Sequence, residues 1–310
     1  MADYAIITDS CCDLHREIRE RFKIDDYIPG YLVFPDGREE KADLDWNNMT
    51  PEDYFGYMKD KKHLISTAQP SPFTVKEVFE KYLKDGKDIL AITISTGISG
   101  TYNSYELAAK DLREIYTDRK ILVVDSLKYS SAIGLLCIYA SIKRDEGISI
   151  EDNFAWLEKN KYHLHQMGVL DDLFFCSRMG RVSGVTAIGG TLIGIKPLAD
   201  FDREGKSHKI GAARGIKNTY RVITEYIKET IIDPEDQIII VDHSLREAEA
   251  LTIKKNIEET FNPKEVILTT VGQSCGAGIG PGLFAAFYLG TEISEGLEAE
   301  TALLKQLTSK

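Results

Sequence analysis

The sequence predicts an α/β fold in two lobes. The N-terminal lobe carries a mostly parallel sheet flanked by helices, and a second α/β lobe follows. Three observations predict it. Residues 89–104, ILAITISTGISGTYNS, read as a continuously apolar strand, a hydroxyl- and glycine-rich turn and a helix start. Around them, strand-like and helix-like segments alternate as in βαβα units. Beyond Gly168 the texture shifts to glycine-, serine- and arginine-rich stretches, which divides the chain into lobes 1–168 and 169–310.

Taken in order, residues 4–8 form an apolar strand, followed by the turn DSCCD and a helix over 14–22. Residues 28–34 read as a strand closed by Pro35-Asp36-Gly37. Thr50-Pro51-Glu52-Asp53 is a helix start, with proline at the first position and acids in the first turn. The prolines of Ser66-Thr67-Ala68-Gln69-Pro70-Ser71-Pro72 predict an extended loop before a helix over 74–83. Strand 89–94, helix 103–115, strand 121–124 and helix 129–144 continue the alternation. A helix over 150–167 is expected next, then a glycine-, serine- and arginine-rich stretch over 174–194. Ile195-Lys196-Pro197-Leu198 and a turn at Asp202-Arg203-Glu204-Gly205 come after it. Strand 238–241, helix 245–260 and strand 266–271 precede five glycines within 272–282, and Pro281 is expected to open a helix through 289.

Composition narrows the function classes. A net charge of −11 over 310 residues argues against a general nucleic-acid or membrane-surface binder, which would show basic clusters. No apolar run approaches the roughly 20 residues of a membrane span. MADYAIITDS lacks the features of a secretory signal, and a cytoplasmic location is the expectation. The cysteines Cys11, Cys12, Cys137, Cys176 and Cys275 form no CxxC pair and have no histidine at ligand spacing. No metal site is expected, and reduced thiols of structural or incidental role are.

In open parallel sheets, ligands collect beyond the carboxyl ends of the strands. Those ends carry Asp9-Ser10, Ser95-Thr96 and Asp125-Ser126, with the Thr67 loop nearby. A strand-to-helix junction offers unpaired N–H groups and a positive dipole end, so the 95–101 turn suits an anion. Its hydroxyls add donors without charge. No phosphate loop, HExxH or GxSxG motif is present, and the histidines sit mostly among charged residues. On the residues alone, a binding protein is favoured over an enzyme. The alternative is an α/β enzyme acting on a small phosphorylated or carboxylated metabolite, with His243 or Asp125 as acid or base. Arg178 and Arg181, in Ser177-Arg178-Met179-Gly180-Arg181, read either as solvated arginines or as a contact surface for an anion or partner protein.

The chain resembles the DegV family, which includes the fatty-acid-binding subunit of bacterial fatty acid kinase. The resemblance spans nearly the whole chain. It rests on Asp9-Ser10 with Asp13-Leu14, Thr67-Ala68-Gln69-Pro70-Ser71, Ser99-Gly100-Thr101-Tyr102, Gly180-Arg181-Val182-Ser183 with Ile195-Lys196-Pro197, and Gly280-Pro281-Gly282. It implies a long-chain fatty acid as ligand, buried in an apolar tunnel, and no cofactor and no catalytic residue. Its carboxylate would be held by Thr67 and the turn of Ser95, Thr96, Ser99 and Gly100, with Ser126 and Gly278 also at the site. It further implies a kinase catalytic subunit as partner, which phosphorylates the carboxylate to an acyl phosphate, and places Arg178 and Arg181 on the partner surface. One departure stands out: Gly278 occupies the position where the family commonly has a histidine, and Met179 replaces a usual glycine.

Overall fold

The computed structural model describes residues 3–60, 62–170, 173–179, 182–183 and 194–309. The first half runs β1 (Tyr4–Asp9), α1 (Arg16–Arg21), β2 (Asp26–Ile28), β3 (Tyr31–Val33), β4 (Glu39–Lys41), α2 (Pro51–Met58), β5 (Ser66–Ala68), α3 (Pro72–Lys84), β6 (Asp88–Thr93), α4 (Thr101–Ile115), β7 (Ile121–Asp125), α5 (Ser131–Asp145) and α6 (Ile150–Asn160). The second runs β8 (Leu164–Leu170), α7 (Leu173–Met179), β9 (Val182–Ser183), β10 (Ile195–Phe201), β11 (Ser207–Arg214), α8 (Ile216–Thr230), β12 (Ile238–His243), α9 (Glu247–Phe261), β13 (Glu265–Thr270), α10 (Gln273–Ile279), β14 (Leu283–Leu289) and α11 (Glu298–Thr308).

The N-terminal sheet has the order β2-β1-β6-β7, every pair parallel. β1 is buried along its whole length and β6 from its second residue on, because helices cover both faces. The chain order reverses between β1 and β6, so the crevice beyond their carboxyl ends is the natural ligand position. The second lobe is built on the order β13-β12-β14-β8-β10-β11-β9. β4-β3-β5 forms a small antiparallel sheet. Helix α5 is the hinge of the packing: it is buried on nearly every face and contacts β1 and β6 on one side and β12, β14 and β8 on the other. Gly134 allows this approach, because a Cβ there would press on the Cys12 carbonyl and the Leu14 side chain.

Three expectations are corrected. Residues 28–34 are not one strand: the chain breaks at Pro29-Gly30, and β2 and β3 join different sheets. The helix expected to Met167 stops at Asn160, and residues 164–170 are the strand β8. The helix expected from Pro281 is the strand β14. These two strands lie side by side in the middle of the larger sheet, buried at every position, so neither shows the period-2 alternation that marks a half-exposed strand. β8 belongs wholly to the second sheet. Among the histidines, His165 is fully buried, with Nδ1 2.6 Å from Asp200 and Nε2 2.9 Å from the Thr291 carbonyl.

Candidate functional site

A cleft enclosing about 800 Å³ of empty space, open mouth included, lies beyond the ends of β1 and β6. The N-terminal lobe supplies the chain after β1, the strand β5 and its exit to Pro70, the turn before α4, and Tyr129. Helices α7 and α10 of the second lobe close the other side through Cys176, Ser274, Cys275, Gly278 and Ile279.

The floor is Asp9. One carboxylate oxygen accepts the Cys11 N–H at 2.8 Å and the other accepts the Ile94 N–H at 2.7 Å, tying the end of β1 to the end of β6. Burial pushes its pKa up to about 6, against those two hydrogen bonds. Beside it, the Ser10 hydroxyl accepts from the Gly30 N–H at 3.0 Å and pairs with the Ser274 hydroxyl at 2.8 Å. This contact joins the two lobes across the cleft.

The turn before α4 is organised differently from the amide cradle expected for an anion. The Ser95 N–H donates to the Lys128 carbonyl, the Thr96 N–H to Asp125, the Gly97 N–H to the Ser95 hydroxyl, and the Ile98 and Ser99 N–H groups to the Ser95 carbonyl. Those five donors are engaged within the protein. What the turn presents to the cleft is side-chain hydroxyl: Ser99 and Thr101, whose oxygens are 2.9 Å apart. Thr67 faces the same space from β5, and its hydroxyl has no protein partner among the described residues. Gln69 also lines the cleft, with its amide N–H donating to Ser104 at 2.9 Å.

The residues singled out from sequence therefore separate into two groups. Thr67, Ser99 and Gly278 line the cleft together. Ser95, Thr96, Gly100 and Ser126 do not line it. Ser95 is buried under the β10–β11 turn, where a Cβ on Gly205 would collide with its hydroxyl. The Thr96 hydroxyl donates to Asp125 at 2.5 Å. Gly100 caps α4 and leaves room for the Gln69 side chain. The Ser126 hydroxyl accepts the Lys128 N–H at 3.1 Å, shaping the loop that delivers Tyr129. Arg178 is half-buried and donates to the Ile65 carbonyl at 2.7 Å. Gly180 and Arg181 lie outside the described residues. Neither His243 nor Asp125 lines the cleft, and the Asp125 carboxylate is occupied by Thr96 and the Leu127 N–H. Sequence reasoning did not find Ser274, Tyr129 or the thiols of Cys11, Cys176 and Cys275 as cleft residues; the apposition of residues 10 and 274 carries no local signal.

Among the described lining residues there is no lysine or arginine, and Asp9 alone is ionisable as a carboxylate. The walls between the hydroxyls are isoleucine, proline, alanine, tyrosine and cysteine. Such a lining offers apolar contact and neutral hydrogen-bond donors.

Fold and cleft thus define a two-lobed α/β protein with an apolar binding cleft between its lobes. The chain belongs to the DegV family: residues 3–291 match the family described as "Uncharacterised protein, DegV family". A DegV domain-containing protein of Clostridium perfringens is 31% identical over 290 residues, covering 94% of this chain and 98% of its own length. Among solved structures, a fatty-acid-binding DegV family protein from Thermus thermophilus superposes with a TM-score of 0.82 at 25% identity, covering 93% of this chain and 99% of that one. The fatty acid kinase (Fak) B3 protein of Streptococcus pneumoniae, solved loaded with linoleic acid, superposes with a TM-score of 0.78 at 21% identity, over 93% of this chain and 99% of that one.

Proposed function

We propose that this protein binds a long-chain fatty acid in the cleft and presents its carboxylate to a kinase that converts it to an acyl phosphate. The observation that carries the binding step is the lining itself: apolar walls, a set of uncharged hydroxyls, and no cation among the described lining residues. A small phosphorylated metabolite would call for positive charge that this lining lacks. Thr67 and Ser99 are the direct holders of the head group in this reading, with Ser95, Thr96, Gly100 and Ser126 setting the shape of the turns behind them. Gly278 leaves the head group without the imidazole common in the family. Arg178 and Arg181 belong to the face offered to the kinase, and the protein has no catalytic role of its own.

The energetics divide the work. A C16 tail buries about 14 methylenes at roughly 0.8 kcal/mol each, on the order of 11 kcal/mol before the costs of binding. A hydrogen bond to a charged group contributes about 1.5–3 kcal/mol. The tail therefore sets affinity and the hydroxyls set orientation. Extraction of the purified protein under denaturing conditions, followed by mass spectrometry, is expected to release a long-chain acid. Added oleate is expected to raise the melting temperature of the delipidated protein. Absence of both effects would overturn the reading. Replacing Thr67 by Val together with Ser99 by Ala is expected to weaken oleate binding by about 2–4 kcal/mol without abolishing it, because the tail contacts remain. Titration calorimetry reads this directly, and unchanged affinity would remove these two hydroxyls from the head-group site.

A further inference from the structure

Two thiols in the cleft wall have no part in holding the head group of a fatty acid. Cys11 follows β1 in the first lobe, and Cys275 sits on α10 in the second, 264 residues later in sequence. The Cys275 thiol donates to the Cys11 carbonyl oxygen at 3.5 Å. The preceding residues meet in the same way, Ser10 against Ser274 at 2.8 Å, so the two chain segments run past each other with neighbouring residues in contact. Both cysteines line the cleft; Cys11 is half-buried and Cys275 buried.

We propose that Cys11 and Cys275 are an oxidisable pair: a modification site that closes to a disulfide between the lobes when an organic hydroperoxide enters the cleft. The oxidant class rests on the fatty-acid reading above, since a hydroperoxide of an unsaturated fatty acid has the same apolar body. Exposure divides the roles: Cys11 is half-buried at the cleft and Cys275 is buried. Contact with Cys275 lowers the Cys11 thiol, but burial and the carboxylates of Asp9 and Asp13 raise it overall, and Cys275 is held still more firmly protonated. Cys11, the more accessible of the two, is the attacking thiol and Cys275 the resolving one. The Cys11 thiolate attacks the outer oxygen of the hydroperoxide, breaking the O–O bond; Cys11 becomes a sulfenic acid and the lipid leaves as its alcohol. The Cys275 sulfur then displaces the sulfenic hydroxyl, which departs as water. In sum, two thiols and one hydroperoxide give one disulfide, one alcohol and one water. Protonated thiols react slowly with dilute peroxide in water, so an oxidant concentrated in the cleft is what gives the pair its selectivity.

The test uses the full-length, reduced protein and peptide mapping by mass spectrometry under non-reducing conditions. Diamide, a small oxidant that needs no lipid site, is expected to join the peptides containing Cys11 and Cys275. Cys11→Ser and Cys275→Ala are each expected to abolish that cross-link, while Cys176→Ala retains it. Circular dichroism of the two variants confirms that they are folded. A folded wild-type protein that gives no Cys11–Cys275 peptide, or pairs Cys176 instead, overturns the proposal. Linoleic acid hydroperoxide is then expected to form the same cross-link about tenfold or more faster than hydrogen peroxide at equal concentration. Equal rates would overturn the lipid oxidant while leaving the pair in place. Oleate binding measured on the same sample separates that outcome from a failure of the fatty-acid reading itself.

Discussion

Gly278→Phe is expected to weaken long-chain fatty-acid binding by roughly 10²–10³-fold while leaving the protein folded. Gly278 lines the cleft from α10 and does not adopt a left-handed backbone conformation, so any L-residue fits its backbone. The helix cannot retreat to make room. A Cβ on Gly276 would already lie 3.0 Å from the Phe55 ring and 3.2 Å from Tyr54. The Tyr54 hydroxyl also donates to the Gln273 carbonyl at 2.8 Å. The added phenyl group is expected to enter the cleft that Gly278 lines. Displacing four or five methylenes of the tail removes about 3–4 kcal/mol, or roughly 10²–10³-fold in affinity. Gly278→Ala, which adds one methyl group, is expected to keep binding. Titration with oleate distinguishes the two, and full affinity in the phenylalanine variant would show that the tail runs elsewhere. Phenylalanine also disfavours a helix less than glycine does, so the melting temperature should not fall.

The second large effect concerns a pair of acids beneath the cleft. The Ser130 hydroxyl lies 2.5 Å from an Asp13 oxygen and 3.0 Å from an Asp242 oxygen, all three residues being buried. A hydroxyl has one proton and can donate to only one of them, so the second contact needs a proton on a carboxyl. Ser130 adopts φ 60° and ψ −151°, a region that essentially only glycine occupies, at a cost of about 1–3 kcal/mol. Burial pushes Asp242 up to about 7. Asp13 is held well above the carboxylate range by burial and then by the charge of Asp242. For an acid with a raised pKa, the folded state keeps a proton that the unfolded chain has released. The contribution to stability is fully present below pH 3.8 and is lost as pH rises through about 7. The melting temperature is therefore expected to fall across that window. Asp242→Asn should flatten the fall and raise stability in mildly alkaline buffer, on the order of 2 kcal/mol. Asp9, with its pKa near 6, leaves a residual slope of the same sign. Lys128 acts in a separate window. Burial lowers it from 10.5 to about 7, so its contribution grows as pH rises between those values and is lost as pH falls through about 7. Superimposable melting profiles for wild type and Asp242→Asn below neutral pH would refute the shared-proton arrangement.

Much of the first lobe was legible because its strands are long apolar runs ended by turn residues. Residues 89–94 and 121–124 needed no partner to be recognised, and the end of the first pointed to the cleft. The cap of α2 was equally local: Thr50 accepts the N–H group of Asp53, as its sequence position suggests. The start of α3 was not, since it begins at Pro72 behind the cap Ser71 rather than at Thr74. The strands β8 and β14 were not legible. LHQMGVL and LFAAFYL contain residues compatible with a buried helix, and each becomes a strand through the other. Gly168 sits opposite Ala285, where a Cβ would collide with the alanine, so the close pairing depends on that glycine.

The candidate site divides along the same line. Hydroxyls at strand ends are visible in sequence, and Thr67 and Ser99 do face the cleft. Which hydroxyls face inward depends on how the backbone spends its own donors. Ser95 and Thr96 are drawn into the turn, where the Ser95 hydroxyl accepts the Gly97 N–H and Asp125 takes both the N–H and the hydroxyl of Thr96. By itself, the sequence determined the α/β class, the parallel first sheet and the hydroxyl-bearing strand ends, all of which rest on periodicity and local turn chemistry. Tertiary structure alone decided that Ser10 meets Ser274 and Cys11 meets Cys275, and that α10 closes the cleft. Those contacts span some 264 residues of chain, and only the packing of two sheets against α5 brings their ends together.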